Sequence, residues 1–175
     1  LAEPFPDTGR AIAPLYDEPF LAAVPSTHPL AQQESISTQQ LKNETMLLLG
    51  AGHCFRDHVL EVCPEFARYA SNAEGIRRSF EGSSLETIKH MVAAGMGVTL
   101  VPRLSVANDA LQSPRRRRSD EPYIRYLPIV EPDGSAPPKR RVSLVWRRSF
   151  TRYEAIAALR NAIHACKLLG VERLN

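Results

Sequence analysis

Cysteine, histidine and arginine meet in one short stretch, GHCFRDHVLEVC, which holds His53, Cys54, Arg56, His58 and Cys63. Within it and just beyond, apolar Phe55, Val59, Val62 and Phe66 recur at spacings of three and four. That period predicts a helix from Cys54 to about Ala67 with one buried face. Cys54 then stands at a helix start, where unpaired backbone N–H groups and the helix dipole favour an anion. His53 and Arg56 add positive potential. A thiolate is the form of cysteine that attacks peroxide or a disulfide. A small buried residue at a helix start suits the same pattern. The residue types alone therefore leave a reactive and a structural thiol both open.

Cys63 follows nine positions later. Along one continuous helix that separation rises ~13.5 Å and turns ~900°, which puts the two thiols on opposite faces. A disulfide needs Cα atoms within ~7 Å. The pair thus either never bonds, or bonds only after the segment has unfolded, which would couple oxidation to refolding. Beside Val62 and Phe66, Cys63 is a core residue of the reduced state in either case. The set His53, Cys54, His58 and Cys63 has metal-ligating types, but two cysteines nine helical positions apart do not share one tetrahedral ion, and there is no CxxC pair. No metal is expected. Cys166, among Ala162, Ile163 and Leu169, is expected to pack in a core. The run Arg115 to Arg118 lacks interleaved aromatics and lies beside Asp120 and Glu121, so it reads as a solvated loop. No GxGxxG, GxxxxGK[ST] or GxSxG pattern occurs, which leaves nucleotide and serine-hydrolase readings without support, and no cofactor is expected.

Several elements must position these groups. Leu1 to Pro14 is Pro-rich and shows no strong helix or strand of its own. EPFLAAVP is expected as a buried strand closed by Pro25 and Pro29. Ser37 can cap a short helical turn, and Met46 to Leu49 is an apolar run of strand length ended by Gly50 and Gly52. SSLETIKHMVAAGMGVTLVP predicts a helix capped by Ser83 or Ser84, with Leu85, Ile88 and Val92 inward, ended by Gly95 and followed by a strand at Val98 to Val101. YIRYLPIV and RVSLVWRR are two further strands, and TRYEAIAALRNAIHACKLL is a last amphipathic helix. Strands alternating with helices predict an α/β fold with mainly parallel pairing.

The 175 residues carry 43% hydrophobic side chains, enough to bury a core in one domain or two small lobes. No apolar run approaches the ~20 residues needed to span a bilayer, and LAEPFPDTGR has no signal-peptide pattern. The chain is accordingly expected to be cytoplasmic and away from membranes. A net charge of +3 is too small to imply nucleic-acid binding by itself. Three cysteines do not suggest a secreted disulfide scaffold.

GHCFRD followed by Cys63, then SLETIKHMVAAGMGVTLVP, then RRVSLVWRR, resemble the regulatory domain of the OxyR family, the hydrogen-peroxide sensors among LysR-type transcription regulators. The likeness runs from about Leu15 to Ile163. SLET to VTLVP marks LysR-type regulatory domains in general; GHCxRD with a second cysteine nine positions on is specific to OxyR. The resemblance implies a periplasmic-binding-protein-like α/β domain with subdomain II complete and subdomain I partial. Residues 1–16 would end the first half of subdomain I, 17–142 would form subdomain II, and 143–175 would return to subdomain I.

The resemblance also implies roles. Cys54 matches the family's peroxidatic cysteine and Cys63 its resolving cysteine, which form an intramolecular disulfide with refolding of the segment between them. His53 matches the histidine before the reactive thiol, and Arg140, or Arg141 one residue on, an arginine near it. Ser84 lies at the helix start facing the family's effector cleft. Family members are not enzymes. They are dimers, and tetramers at full length, that bind promoter DNA through an N-terminal winged helix-turn-helix domain, act on RNA polymerase to activate antioxidant genes, and are reduced by glutaredoxin or thioredoxin. Two other classes remain open: a LysR-type domain that binds a small-molecule effector in the cleft, and a thiol peroxidase.

Overall fold

A computed structural model describes residues 1–4, 9–64, 79–107 and 123–174. The chain divides into two compact units, one of residues 1–19 and 139–175 and one of residues 20–138. Strand β1 (Arg10–Pro25) runs through both. The expectation of no regular structure before Pro14 is corrected here, because β1 begins at Arg10. Its partner β6 (Lys139–Arg147) lies far away in sequence, and a local reading does not see such pairing.

In the first unit β6 runs antiparallel to β1 from Arg10↔Arg147 to Pro19↔Lys139, with an irregularity between Pro14 and Tyr16. A short strand β7 (Glu172–Arg173) pairs with β1 at Tyr16 and Asp17. The helix α4 (Tyr153–Ala165) completes the unit; none of its residues is buried. Cys166 caps its C-terminal end and is exposed, so the expected core position is wrong. The helix stops one residue earlier, and Ile163 and Leu168 line an open apolar pocket of about 350 Å³ rather than a closed core.

The second unit holds the main core. The end of β1 pairs antiparallel with β4 (Thr99–Pro102) and β5 (Ile124–Pro128). Strand β2 (Met46–Leu49), all four residues buried, runs parallel to β3 (Ser79–Gly82). Parallel bridges Met46↔Val98 and Ile36↔Ile129 extend this layer. The expected predominance of parallel pairing is corrected: every described ladder of β1 is antiparallel, and β2 with β3 is the parallel ladder among the described strands. One long strand that takes its partners from the middle and from the C-terminal part of the chain imposes that pattern.

Two helices cover this layer. The helix α2 (Cys54–Val62) buries Phe55, His58 and Val59. The helix α3 (Leu85–Ala93) buries Ile88, Lys89 and Val92, and Gly95 closes it at φ +78°. Ser84 caps α3 by accepting from Thr87 N–H at 3.1 Å. A short turn α1 (Thr38–Leu41) starts at Ser37, whose N–H donates to the Gln40 side chain at 3.0 Å. Thr99 Oγ1 donates to the Leu47 carbonyl at 2.7 Å and ties β4 to β2. The predicted arginine-run loop, Arg115 to Arg118, lies outside the described residues, as does the stretch from residue 65 to Ala67 that was expected to extend α2.

Candidate functional site: a thiol at each end of one helix

The end of β2 delivers the site. Gly50, Ala51 and Gly52 follow the strand, and Gly52 turns the chain at φ +94°, a left-handed conformation that favours glycine. His53 is the N-cap residue in extended conformation, and its carbonyl accepts from Arg56 N–H at 2.9 Å. Its ring makes no capping bond. Cys54, the first helical residue, is exposed there.

The apolar side of α2 is fixed by aromatic packing. The rings of Phe20 and Phe55 meet edge to face at 5.5 Å, and His58 lies 6.3 Å from Phe20 and 6.5 Å from Phe55. His58 is 4% exposed. It therefore serves the core, while His53 stands at the surface.

Cys63 ends the helix rather than continuing it. Its N–H still donates to the Val59 carbonyl at 2.9 Å, but its φ of −129° and ψ of 71° leave the helical region. Pro64 explains this, because a residue before proline is pushed away from helical geometry. The side chain is fully buried. The two thiols thus sit at opposite ends of α2, one at the surface and one in the core. Eight residues of helical rise between Cys54 and Val62 amount to ~12 Å, and no disulfide joins the cysteines. No group of three or more His, Cys, Asp and Glu side chains gathers as a metal site would among the described residues.

Arg56 differs from the sequence reading. Instead of lending open positive potential to Cys54, its Nη1 donates to the Leu49 carbonyl at 2.9 Å and to Glu81 Oε1 at 2.6 Å. Its charge is matched by a carboxylate. Arg140 and Arg141 lie on β6 in the first unit. Arg140 donates through Nε to Glu18 Oε2 at 2.8 Å, with Nη2 also at 2.8 Å. Arg141 grips Asp17 through Nε and Nη2. The predicted residues His53, Cys54 and Cys63 come together on one element, Ser84 heads α3 in the same unit, and Arg140 belongs to the other unit. The Glu81 and Glu18 partners were missed. The opposed charge runs Asp17-Glu18 and Lys139-Arg140-Arg141, at the leading ends of two predicted strands, were the available signal for the second; for Glu81 there was none.

A profile described as the LysR substrate binding domain matches residues 1–166. The chain belongs to the LysR substrate-binding domain family. Within this family it is similar to OxyR. The DNA-binding transcriptional dual regulator OxyR of Escherichia coli (strain K12) is 38% identical over 147 residues, covering 82% of this chain and 42% of that protein. A reduced form of OxyR from N. meningitidis superposes with a TM-score of 0.83 at 35% identity, over all of this chain and 74% of that one. The reduced OxyR regulatory domain from Pseudomonas aeruginosa gives 0.73 at 36% identity, over 95% of this chain and 71% of that one. The chain therefore has the α/β, periplasmic-binding-protein-like fold of LysR-type regulatory domains. It spans less than half the length of the curated relatives it matches. No described helix is long and apolar enough to cross a membrane.

Proposed function

We propose that this chain is the redox-sensing regulatory domain of a cytoplasmic, peroxide-responsive transcription regulator. The observation that carries the reading is the pair of thiols at the two ends of α2, with Cys54 exposed in its first turn and Cys63 buried at its end. Similarity to OxyR regulatory domains supports it.

In this reading the Cys54 thiolate attacks one oxygen of hydrogen peroxide. An S–O bond forms, the O–O bond breaks, and the departing oxygen takes up a proton and leaves as water. Sulfur gives up two electrons and peroxide accepts them. Cys63 sulfur then displaces the sulfenic hydroxyl, which leaves as a second water with the Cys63 proton. His53, and Arg140 by resemblance, stabilise the thiolate and the leaving oxygen. Because the bond cannot span an intact α2, the segment refolds, and this is the signal.

The units 1–19 with 139–175 and 20–138 correspond in this reading to subdomains I and II. The longer regulator is a dimer or tetramer that acts on promoter DNA and RNA polymerase, and glutaredoxin or thioredoxin returns it to the thiol form. Intact mass after one equivalent of peroxide tests the reading. Loss of two hydrogens is expected. An unchanged mass would instead favour an effector-binding domain using Ser84, and rapid repeated turnover with thioredoxin would favour a thiol peroxidase.

A further inference from the structure

Arg56 stands two residues after Cys54, which on a helix is a rotation of ~200°. When Cys54 faces solvent, Arg56 therefore faces the body of the unit, and its side chain is 12% exposed. There one guanidinium nitrogen holds two elements at once, the last carbonyl of β2 at Leu49 and the Glu81 carboxylate on β3. In the parallel register Leu49 faces Gly82, next to Glu81, and Gly50 N–H donates to the Gly82 carbonyl at 3.0 Å. The Glu81 backbone has little room to move. A Cβ placed on Gly82 would come within 2.6 Å of Ile88 Cδ1, so α3 presses directly on that strand end.

We propose that the Arg56–Glu81 ion pair is a latch that holds the first turn of α2 on the ends of β2 and β3, and so sets how readily Cys54 and Cys63 can be bridged. The latch is a property of the reduced fold; its effect on bridging rests on the redox reading above. Bridging requires α2 to unwind, and Arg56 lies inside the unwound segment. Unwinding removes the guanidinium from Glu81 and from the Leu49 carbonyl together, and Leu49 is a buried residue. Glu81 is about half exposed, so the pair has the strength of a surface ion pair and weakens as salt screens it. Glu81 is thus a positioning residue. It touches neither sulfur and acts through Arg56.

The test compares the reduced protein with Glu81→Gln, Arg56→Gln and the double variant. Amide exchange of residues 54 to 62 is expected to quicken roughly two- to five-fold in Glu81→Gln, the range of one such pair, with α3 unchanged. The Glu81→Gln effect should vanish in the Arg56→Gln background. Added salt should quicken exchange of α2 in the native protein and leave Glu81→Gln nearly unaffected, a response that a merely structural role of Glu81 would not give. The rate of disulfide formation at fixed peroxide should rise by a similar factor. Unchanged α2 exchange in Glu81→Gln, or an equal effect with Arg56 absent, would overturn the latch. Faster exchange with an equal bridging rate would overturn its control of the switch. If neither protein forms a disulfide, the redox reading falls and control of bridging falls with it, while the exchange data still decide the latch.

Discussion

Asp17 and Arg141 face each other across β1 and β6 and join at two points, Nε to Oδ1 at 2.8 Å and Nη2 to Oδ2 at 3.0 Å. Asp17 is 2% exposed, and Lys139 Nζ also reaches its Oδ2, at 2.8 Å. The Arg141 hydrogen bonds, strengthened by Lys139 and outweighing the cost of burial, lower the Asp17 carboxyl to about 2.

This pair makes the first unit acid-sensitive. A carboxyl with a folded value below its ordinary 3.8 contributes stability that is present above about pH 4 and is lost as pH falls toward 2. The contribution is about 2 kcal/mol at neutral pH. Asp17→Asn is expected to lower stability by that order at pH 7 and to flatten the dependence between pH 4 and 2. Denaturant midpoints measured across that window for both proteins check it; parallel curves would remove Asp17 from the account.

Gly97→Ala is expected to destabilise the second unit by about 1–3 kcal/mol. A Cβ there would stand 2.4 Å from the Thr45 carbonyl oxygen and 3.2 Å from Leu47 Cγ, and that carbonyl is the acceptor for Val98 N–H. Backbone on one side and a buried strand on the other leave little room to give. Thermal unfolding reads the loss, whereas Gly134→Ala, with nothing near its Cβ, should cost less despite its positive φ.

Cys54→Ser should leave the fold intact, because the thiol is exposed. The variant should no longer lose two hydrogens with peroxide, since a hydroxyl at neutral pH is too weak a nucleophile for the O–O bond. Cys63→Ser should instead gain one oxygen and stop at the sulfenic acid. Mass spectra of the two variants should therefore differ in kind, and identical spectra would undo the division of roles.

Oxidation should expose α2 to exchange. If bridging unwinds the helix, amides 54 to 62 lose protection while α3 keeps its own. A sample shown by mass to hold the disulfide, yet equally protected along α2, would contradict the refolding.

Arg140 needs a careful substitution. Replacing it with Ala removes the guanidinium from Glu18, which is 1% exposed, and breaking a buried pair in this way destabilises the fold. Arg140→Lys keeps the charge near Glu18 but loses the fork. If Arg140 assists the thiolate, the lysine variant should react more slowly with peroxide at neutral pH while unfolding close to the native midpoint.

The helix that starts at Cys54 was legible because its apolar positions recur at helical spacing, but its end was not: the apolar period carries past Cys63 to Phe66, whereas Pro64 keeps Cys63 out of a helical conformation and the helix stops at Val62. Ser84 and Gly95 marked α3 by the same local chemistry. The strand from Arg10 to Pro14 was not legible: its stability comes from β6, and Pro14 argues locally against it. Arg56 was recognised as a cation but not as half of a pair, because the parallel register that sets Glu81 beside the end of β2 is fixed by packing between distant segments. The Asp17–Arg141 and Glu18–Arg140 pairs lie between these cases, written as complementary charges that no local rule aligns.

The complete burial of Cys63 gives the two thiols different clocks. Any reagent in solution meets Cys54 on collision, but meets Cys63 only as often as the core around it opens. A brief encounter leaves a mark on Cys54 alone, which a passing small thiol can erase. On the proposed redox reading, an oxidised Cys54 that outlasts several openings is written into the core instead. On that reading the helix filters in time, and a passing pulse of oxidant is forgotten while a sustained one is remembered.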